Sequence, residues 1–439
     1  MRHCTKRFFP VLVLDNRGVS NSESNSKPDR TQPAVPASGA LAGLRVLDLS
    51  RVLAGPLCAQ LLGDHGADVI KIESPVGDET RALGPPFDQD GVAAYFGAVN
   101  RNKRGLALDL AQPAGREVLL RLLDGADVLV ENFLPGTMAR WGVGYHDTLA
   151  ARFPRLIYCA ISGFGADGPL GGLPGYDAIA QAMGGAMAVT GTAHPGPLRS
   201  GVPMVDILVG HNAFAGVLLA LAERTRSGRG QQIETTLYDN ALSLLIPFAA
   251  NWMMSGRVAT PAGNAHVSVY PYDRFTAGGR DMFLGVVNQG QYARLCEHIE
   301  RPDLLTDARF LTNAARVANR DALRGEIERT LADKNVDTLC ATLMANGIPA
   351  GVVNSIPQAF EHAHTAHRDM RVRIHDYQGV GIPVKLDRTP GTARLKPPRY
   401  GEHADTILAQ AGYSPEEITA LRSGGVLLST PRSATKGTL

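Results

Sequence analysis

The stretch that most limits what this chain can fold into is Leu44 to Glu73. Leu44-Arg45-Val46-Leu47-Asp48-Leu49 reads as a short apolar strand, ended by Ser50-Arg51-Val52-Leu53-Ala54-Gly55-Pro56. Pro56 opens a helix, where its fixed φ and missing N–H do no harm. That helix runs through Leu57, Leu61 and Leu62 to Gly63 or Gly66, and Ala67 to Glu73 is a second strand of the fully buried kind. Strand, helix and strand in this order make a βαβ unit, and a βαβ unit implies a parallel sheet.

The pattern continues. Gly105–Leu110, Asp127–Phe133, Arg155–Ser162 and Gln231–Leu237 read as further strands, and Gln112–Leu123 has helical spacing. The fold class is α/β, with a Rossmann-like large domain. Ligands of such sheets bind beyond the carboxyl ends of the strands. Here those ends are Ser50–Pro56, Ser74–Asp78, Asn132–Gly136 and Ser162–Gly165. Glu73 stands where a ribose-binding acid would, but the first turn holds a single glycine, so a pyrophosphate has no glycine-rich backbone to lie against. The basic run Asn100-Arg101-Asn102-Lys103-Arg104 reads either as a solvated edge or as a place to meet phosphates.

Texture divides the chain. Residues 1–39 start basic, pass through a Ser/Asn run and end in Pro/Ala/Ser, the composition of a disordered leader. Residues 40–250 hold the first part of the large domain, 251–355 a smaller α+β domain, and 356–439 a return to the large one. Ile382 to Lys396 is expected to add strands. His362, His364 and His367 fit a solvated helix face better than a metal site, and no metal is expected.

With 44 Lys+Arg against 42 Asp+Glu, nothing points to nucleic acid. Five scattered cysteines without a C-x-x-C pair suit a reducing compartment, the cytoplasm or alternatively a mitochondrial matrix. No apolar run is expected to reach the roughly 18–20 residues of a membrane span.

One carboxylate stands out. Asp206 lies between Val205 and Ile207, ahead of an apolar helix and between Gly201 and Gly210. A charge in such a run must be solvated by something. Asp206 is either the cap of the following helix or a nucleophile held ready at a helix start.

Taken together, Gly43–Pro56, Gly66–Glu73, Asn100–Arg104, Asp127–Gly136 and Ser162–Gly165 resemble the class III CoA-transferases, over about Leu41 to Ser423. The resemblance implies a large domain whose parallel sheet is built from both chain ends, a small domain between them, and an interlocked homodimer. It implies no permanently bound cofactor, with a coenzyme A thioester as substrate and a free carboxylic acid as acceptor. By position it makes Asp206 the nucleophile and puts CoA against Leu53, Ala54, Leu108, Asn132, Phe133 and Arg140. An arginine common in the family after the second strand is replaced by Ser74. Within the family, His266–Tyr272, Gly84–Phe87 and Arg51–Pro56 look most like succinyl-CoA:glutarate CoA-transferases, which implies a dicarboxylate acceptor.

Such an acceptor needs a cation for its remote carboxylate, with Arg81, Arg101, Arg104 and Arg199 as candidates. Gly163 and Gly165 are the candidate oxyanion donors. The rival within the resemblance is an acyl-CoA racemase with Asp177 as its acid. That rival lacks the expected histidine, since the chain reads Gly175-Tyr176-Asp177.

Overall fold

The computed structural model describes residues 38–192, 194 and 196–432, and the expected leader at 1–39 lies almost wholly outside them. Six strands make one sheet: β1 (Arg45–Asp48), β2 (Asp68–Glu73), β3 (Lys103–Ala107), β4 (Val128–Glu131), β5 (Ile157–Ser162) and β6 (Gln232–Thr236). Every pairing is parallel and the spatial order is β3-β2-β1-β4-β5-β6. The order reverses between β1 and β4, and a ligand crevice opens beyond the carboxyl ends at such a switch point.

Period two divides the strand side chains between two cores. Leu47, Ile70, Ile72, Leu129 and Tyr158 pack with helix Pro113–Leu123. Val46, Val69, Val128, Val130 and Ile157 pack on the other face with helices Ala54–Asp64 and Met204–Ser227. These two helices approach closely because Gly210 has no side chain. A Cβ there would lie 2.9 Å from the carbonyl oxygen of Ala54.

Met204–Ser227 also corrects the expectation about apolar length. Its 24 residues reach a mean hydropathy of 1.7 over the best window, enough to cross a membrane by length and composition. Val205, Val209, Ala213 and Val217 are fully buried against the sheet core.

The sheet does not draw strands from both chain ends. All six come from residues 45–236. The C-terminal stretch adds helices Ala404–Gln410 and Pro415–Ser423 to the first core, and one isolated bridge between Leu427 and Leu108. Residues 382–396 carry no strand. Pro383 and Pro390 cannot donate to a ladder, and the segment is instead strapped to Asn102. The Asn102 side-chain oxygen accepts from the N–H groups of Arg394 (2.7 Å) and Leu395 (2.9 Å), while its amide donates to the Thr392 carbonyl at 2.8 Å. The Asn100–Arg104 run is therefore neither a solvated edge nor a phosphate site. Asn102 and Lys103 are buried, Arg101 pairs with Asp64 at 2.6 Å, and Arg104 pairs with Asp68 at 2.7 Å.

A separate core forms between Tyr270 and Val352. Strands Tyr272–Ala277, Arg280–Gly285 and Ala350–Val352 make an antiparallel sheet with Arg280–Gly285 central, packed by helices around Phe275, Leu284, Tyr292 and Leu323.

Candidate active site

The first wall of the crevice is the turn Ser50–Leu53 after β1. Beneath it lie four charged side chains with no exposure. Lys103 donates to Asp48 (2.8 Å), to the Pro56 carbonyl (2.8 Å) and to Asn100 (2.8 Å). Lys71 pairs with Asp78 at 3.0 Å and donates to the Ser50 carbonyl at 2.9 Å. Burial alone would push the Asp48 carboxyl up, but Lys103 and Lys71 outweigh it and hold it below its ordinary value. Burial likewise pulls Lys103 down to about 8, with Asp48 opposing. Buried charges survive in this way when they are paired; Asp78 Oδ2 has the Lys71 ion pair as its sole partner among the described residues.

The network and its neighbours grip the turn at almost every backbone polar group. Asp48 accepts from the Ser50 N–H at 3.0 Å. Asn132, at the end of β4, accepts from the Arg51 N–H (2.8 Å) and donates to the Arg51 carbonyl (2.7 Å). Asp78 accepts from the Val52 N–H at 3.4 Å. Val52 is thereby held at φ 70°, a conformation that a β-branched residue adopts only under constraint.

Two glycines make another wall. A Cβ on Gly163 would meet the Cα of Gly175 at 2.8 Å, so the two backbones touch only because both residues are glycine. Between the walls lies Asp206, in the first turn of Met204–Ser227. It does not cap that helix. Pro203 is the N-cap residue, and the turn is capped from a distance by Asp177, which accepts from the N–H of Val205 (2.9 Å) and of Asp206 (3.3 Å). Gln181 donates to the other Asp177 oxygen at 2.7 Å. Burial first, and then the charge of Asp177, raise the Asp206 carboxyl from 3.8 to about 7. The favourable helix start does not outweigh these two effects. No side chain or backbone donor among the described residues hydrogen-bonds to the Asp206 carboxylate.

The resulting cavity of about 510 Å³ is lined by Arg51, Leu53, Ala54, Asn132, Phe133, Gly163, Tyr176 and Asp206, among others. The fold thus gathers six of the residues singled out in the sequence. Leu108 lies in an adjoining cavity of about 130 Å³ that shares Arg51 and Phe133.

The others stand elsewhere. Arg140 is exposed on a short helix, donating to Thr137 at 2.8 Å. The Gly165 N–H is used by Ser162 at 2.9 Å, so it is not a free oxyanion donor. Arg104 is committed to Asp68, Arg81 to Glu73 at 2.6 Å, and Arg101 to Asp64. Arg199 is exposed and does not line the cavity. Asp177, the acid of the racemase reading, is buried with both oxygens engaged, which leaves it a structural role.

One residue of the cavity wall was missed. Arg51 stands in the turn after the first strand, where position at a strand end was a usable signal.

A doubly wound parallel sheet with a partly buried carboxylate, free of protein donors among the described residues, in the crevice at its switch point fits an α/β enzyme that works on a group brought to that carboxylate. The comparisons with known proteins make this specific. The pattern described as CoA-transferase family III matches residues 41–404. The succinate–glutarate CoA-transferase of Agrobacterium fabrum is 39% identical over 381 residues, covering 84% of this chain and 95% of that protein. The succinyl-CoA:mesaconate CoA-transferase of Haloarcula hispanica is 38% identical over 390 residues, covering 85% and 97%. A CAIB/BAIF family protein from Brucella suis superposes with a TM-score of 0.80 at 38% identity, covering 85% of this chain and all of that one.

The chain belongs to CoA-transferase family III. It is a class III acyl-CoA:carboxylate CoA-transferase, and CoA thioesters are substrates of such enzymes.

Proposed function

We propose that the enzyme moves CoA from succinyl-CoA to a dicarboxylic acid, with Asp206 as the relay. One observation carries the assignment: Asp206 faces a large cavity with no hydrogen-bond donor of the described residues on its oxygens. A carboxylate whose oxygens are not tied up by protein donors is free to attack a carbonyl carbon brought into the cavity. The dicarboxylate acceptor is supported by the relatives, whose names specify glutarate and mesaconate.

In the first step an Asp206 oxygen attacks the thioester carbonyl and CoA leaves as thiolate, giving a mixed anhydride. The thiolate then attacks the Asp206 carbonyl, releasing free succinate and leaving an aspartyl thioester. The acceptor carboxylate attacks that thioester and expels CoA thiolate, which finally takes the acceptor acyl group and regenerates Asp206. Each addition makes an oxyanion, for which a preorganised N–H donor contributes about 3–4 kcal/mol. Gly163, on the cavity wall, is the remaining glycine candidate.

A second copy completes the molecule in this reading. Helix Ile246–Ser255 and its continuation expose Ile246, Trp252, Met253, Met254 and Val258, with Met254 at 91%. An apolar surface of this kind calls for a partner, and a homodimer, interlocked as in the family resemblance, supplies one. Sedimentation at micromolar concentration should give twice the chain mass. Among the described residues, Cys58, Cys159, Cys296 and Cys340 are free and buried, in keeping with a reducing compartment, for which the cytoplasm is our reading.

The decisive test is Asp206→Ala, with exchange of labelled CoA between succinyl-CoA and glutarate as the readout. Exchange should vanish, and hydroxylamine added with acyl-CoA should modify Asp206 in the parent enzyme. Full exchange in the variant would end the assignment.

A further inference from the structure

Of the cations expected to read a remote carboxylate, three are consumed by internal carboxylates and the fourth is away from the cavity. One arginine remains on the wall that Asp206 faces. Arg51 lines the 510 Å³ cavity and the smaller one beside it. No carboxylate among the described residues forms an ion pair with it, and its Nε is buried with no hydrogen-bond partner. A buried guanidinium donor without a partner is a group whose acceptor is missing. The carboxylates of the adjoining cavity are already engaged: Glu73 by Arg81, Asp78 by Lys71 and Asp109 by Arg432. In the larger cavity only Asp206 and the exposed Glu79 face it.

The backbone of Arg51 is also held in place. Its peptide is clamped on both sides by Asn132, and its guanidinium carbon lies 5.9 Å from the centre of the Phe133 ring, which Trp141 meets edge-on at 5.3 Å. A fork of N–H donors beside an aromatic ring suits a planar carboxylate.

We infer that Arg51 is the specificity-determining residue of this site, binding the remote carboxylate of a dicarboxylate acyl group or acceptor while Asp206 handles the other end. The inference rests on the transferase reading of Asp206 given above. A phosphate of CoA has anion chemistry of the same kind, and the experiment separates the two.

With the full-length enzyme, kcat and KM would be measured for parent, Arg51→Gln and Arg51→Lys in two pairs of substrates: succinyl-CoA with glutarate, and butyryl-CoA with pentanoate. Where pentanoate turns over too slowly, its Ki against glutarate replaces its KM. In Arg51→Gln, KM for glutarate should rise at least thirtyfold, and the preference for glutarate over pentanoate should fall at least tenfold. Arg51→Lys should recover part of that preference. Thermal melts of the three proteins serve as the fold control. An equal loss in both substrate pairs would assign Arg51 to the CoA phosphates or to the turn, and no loss in either would leave it without this role. Either outcome overturns the inference while leaving Asp206 intact, because only Asp206→Ala bears on the relay itself.

Discussion

Two sets of charge, one fully and one partly buried, lie on either side of the Ser50–Leu53 turn, and they are built on opposite principles. Under the turn, Asp48, Lys71, Asp78 and Lys103 have no exposure and nearly every oxygen and ammonium proton has a partner. In the cavity above it, Asp206 has no donor on its oxygens, and Arg51 has an orphaned Nε. The first set makes structure by satisfying its charges among themselves. The second leaves its charges for something that arrives. The difference shows why raw charge in a sequence is a poor guide to a site: Arg101, Lys103 and Arg104 are the densest cations in this part of the chain, and all are paired with carboxylates of the chain itself.

The comparison can be broken most severely from below. Lys71→Met strands Asp78 without its counter-ion, and removing one partner of a buried pair costs about 3–5 kcal/mol. Denaturant titration should show that loss, and a change under about 1 kcal/mol would mean that the network is not structural.

Above the turn the sign reverses. Burial and Asp177 raise the folded pKa of Asp206 from 3.8 to about 7, so the native state holds this proton more tightly than the unfolded chain does. The stability it contributes is complete below about pH 4 and is lost as pH rises through 7. Asp206→Asn should therefore stabilise the fold by roughly 1–3 kcal/mol at pH 8, little at pH 4, and abolish transfer. A destabilised variant at pH 8 would place Asp206 with the structural set.

Smaller effects refine the picture. The acid limb of kcat/KM should fall near pH 7, where Asp206 becomes a carboxylate. Asp177→Asn removes the neighbouring charge while keeping an acceptor for the Val205 N–H, and should move that limb about one pH unit lower. An unmoved limb would leave burial as the sole cause. Last, Val52→Gly relaxes the positive φ at some cost in chain entropy, a net change within about 1 kcal/mol by thermal melt. In an Asp78→Asn background, where the clamp on Val52 is weakened, the same change should restore part of the lost stability. An equal effect in both backgrounds would show that the network does not hold the turn.

The sheet was legible because its signals are local. Leu44 to Glu73 announces strand, helix and strand within one window, and the observed β1 and β2 fall inside the expected runs. The tail was misread for a physical reason: Ile382 to Lys396 is apolar enough for strands, yet its prolines and the Asn102 strap make it an irregular segment. Asp206 was recognisable as an unusual carboxylate, but not as raised, because burial in the crevice comes from the tertiary fold and the second cause, Asp177, is 29 residues away in sequence.

By itself, then, the sequence determined the parallel α/β sheet, the strand ends where a ligand would sit, and the short list that contained Asp206. Period-two burial and strand-breaking turns are written residue by residue, so they survive without coordinates. Only the tertiary structure decided which charges were spoken for. The Lys103–Asp48 pair spans 55 residues and Arg101–Asp64 spans 37, and no local pattern records such a match. Pairing is a property of three-dimensional neighbourhood and desolvation, and it is what separates Arg51 and Asp206 from the buried charges beneath the turn.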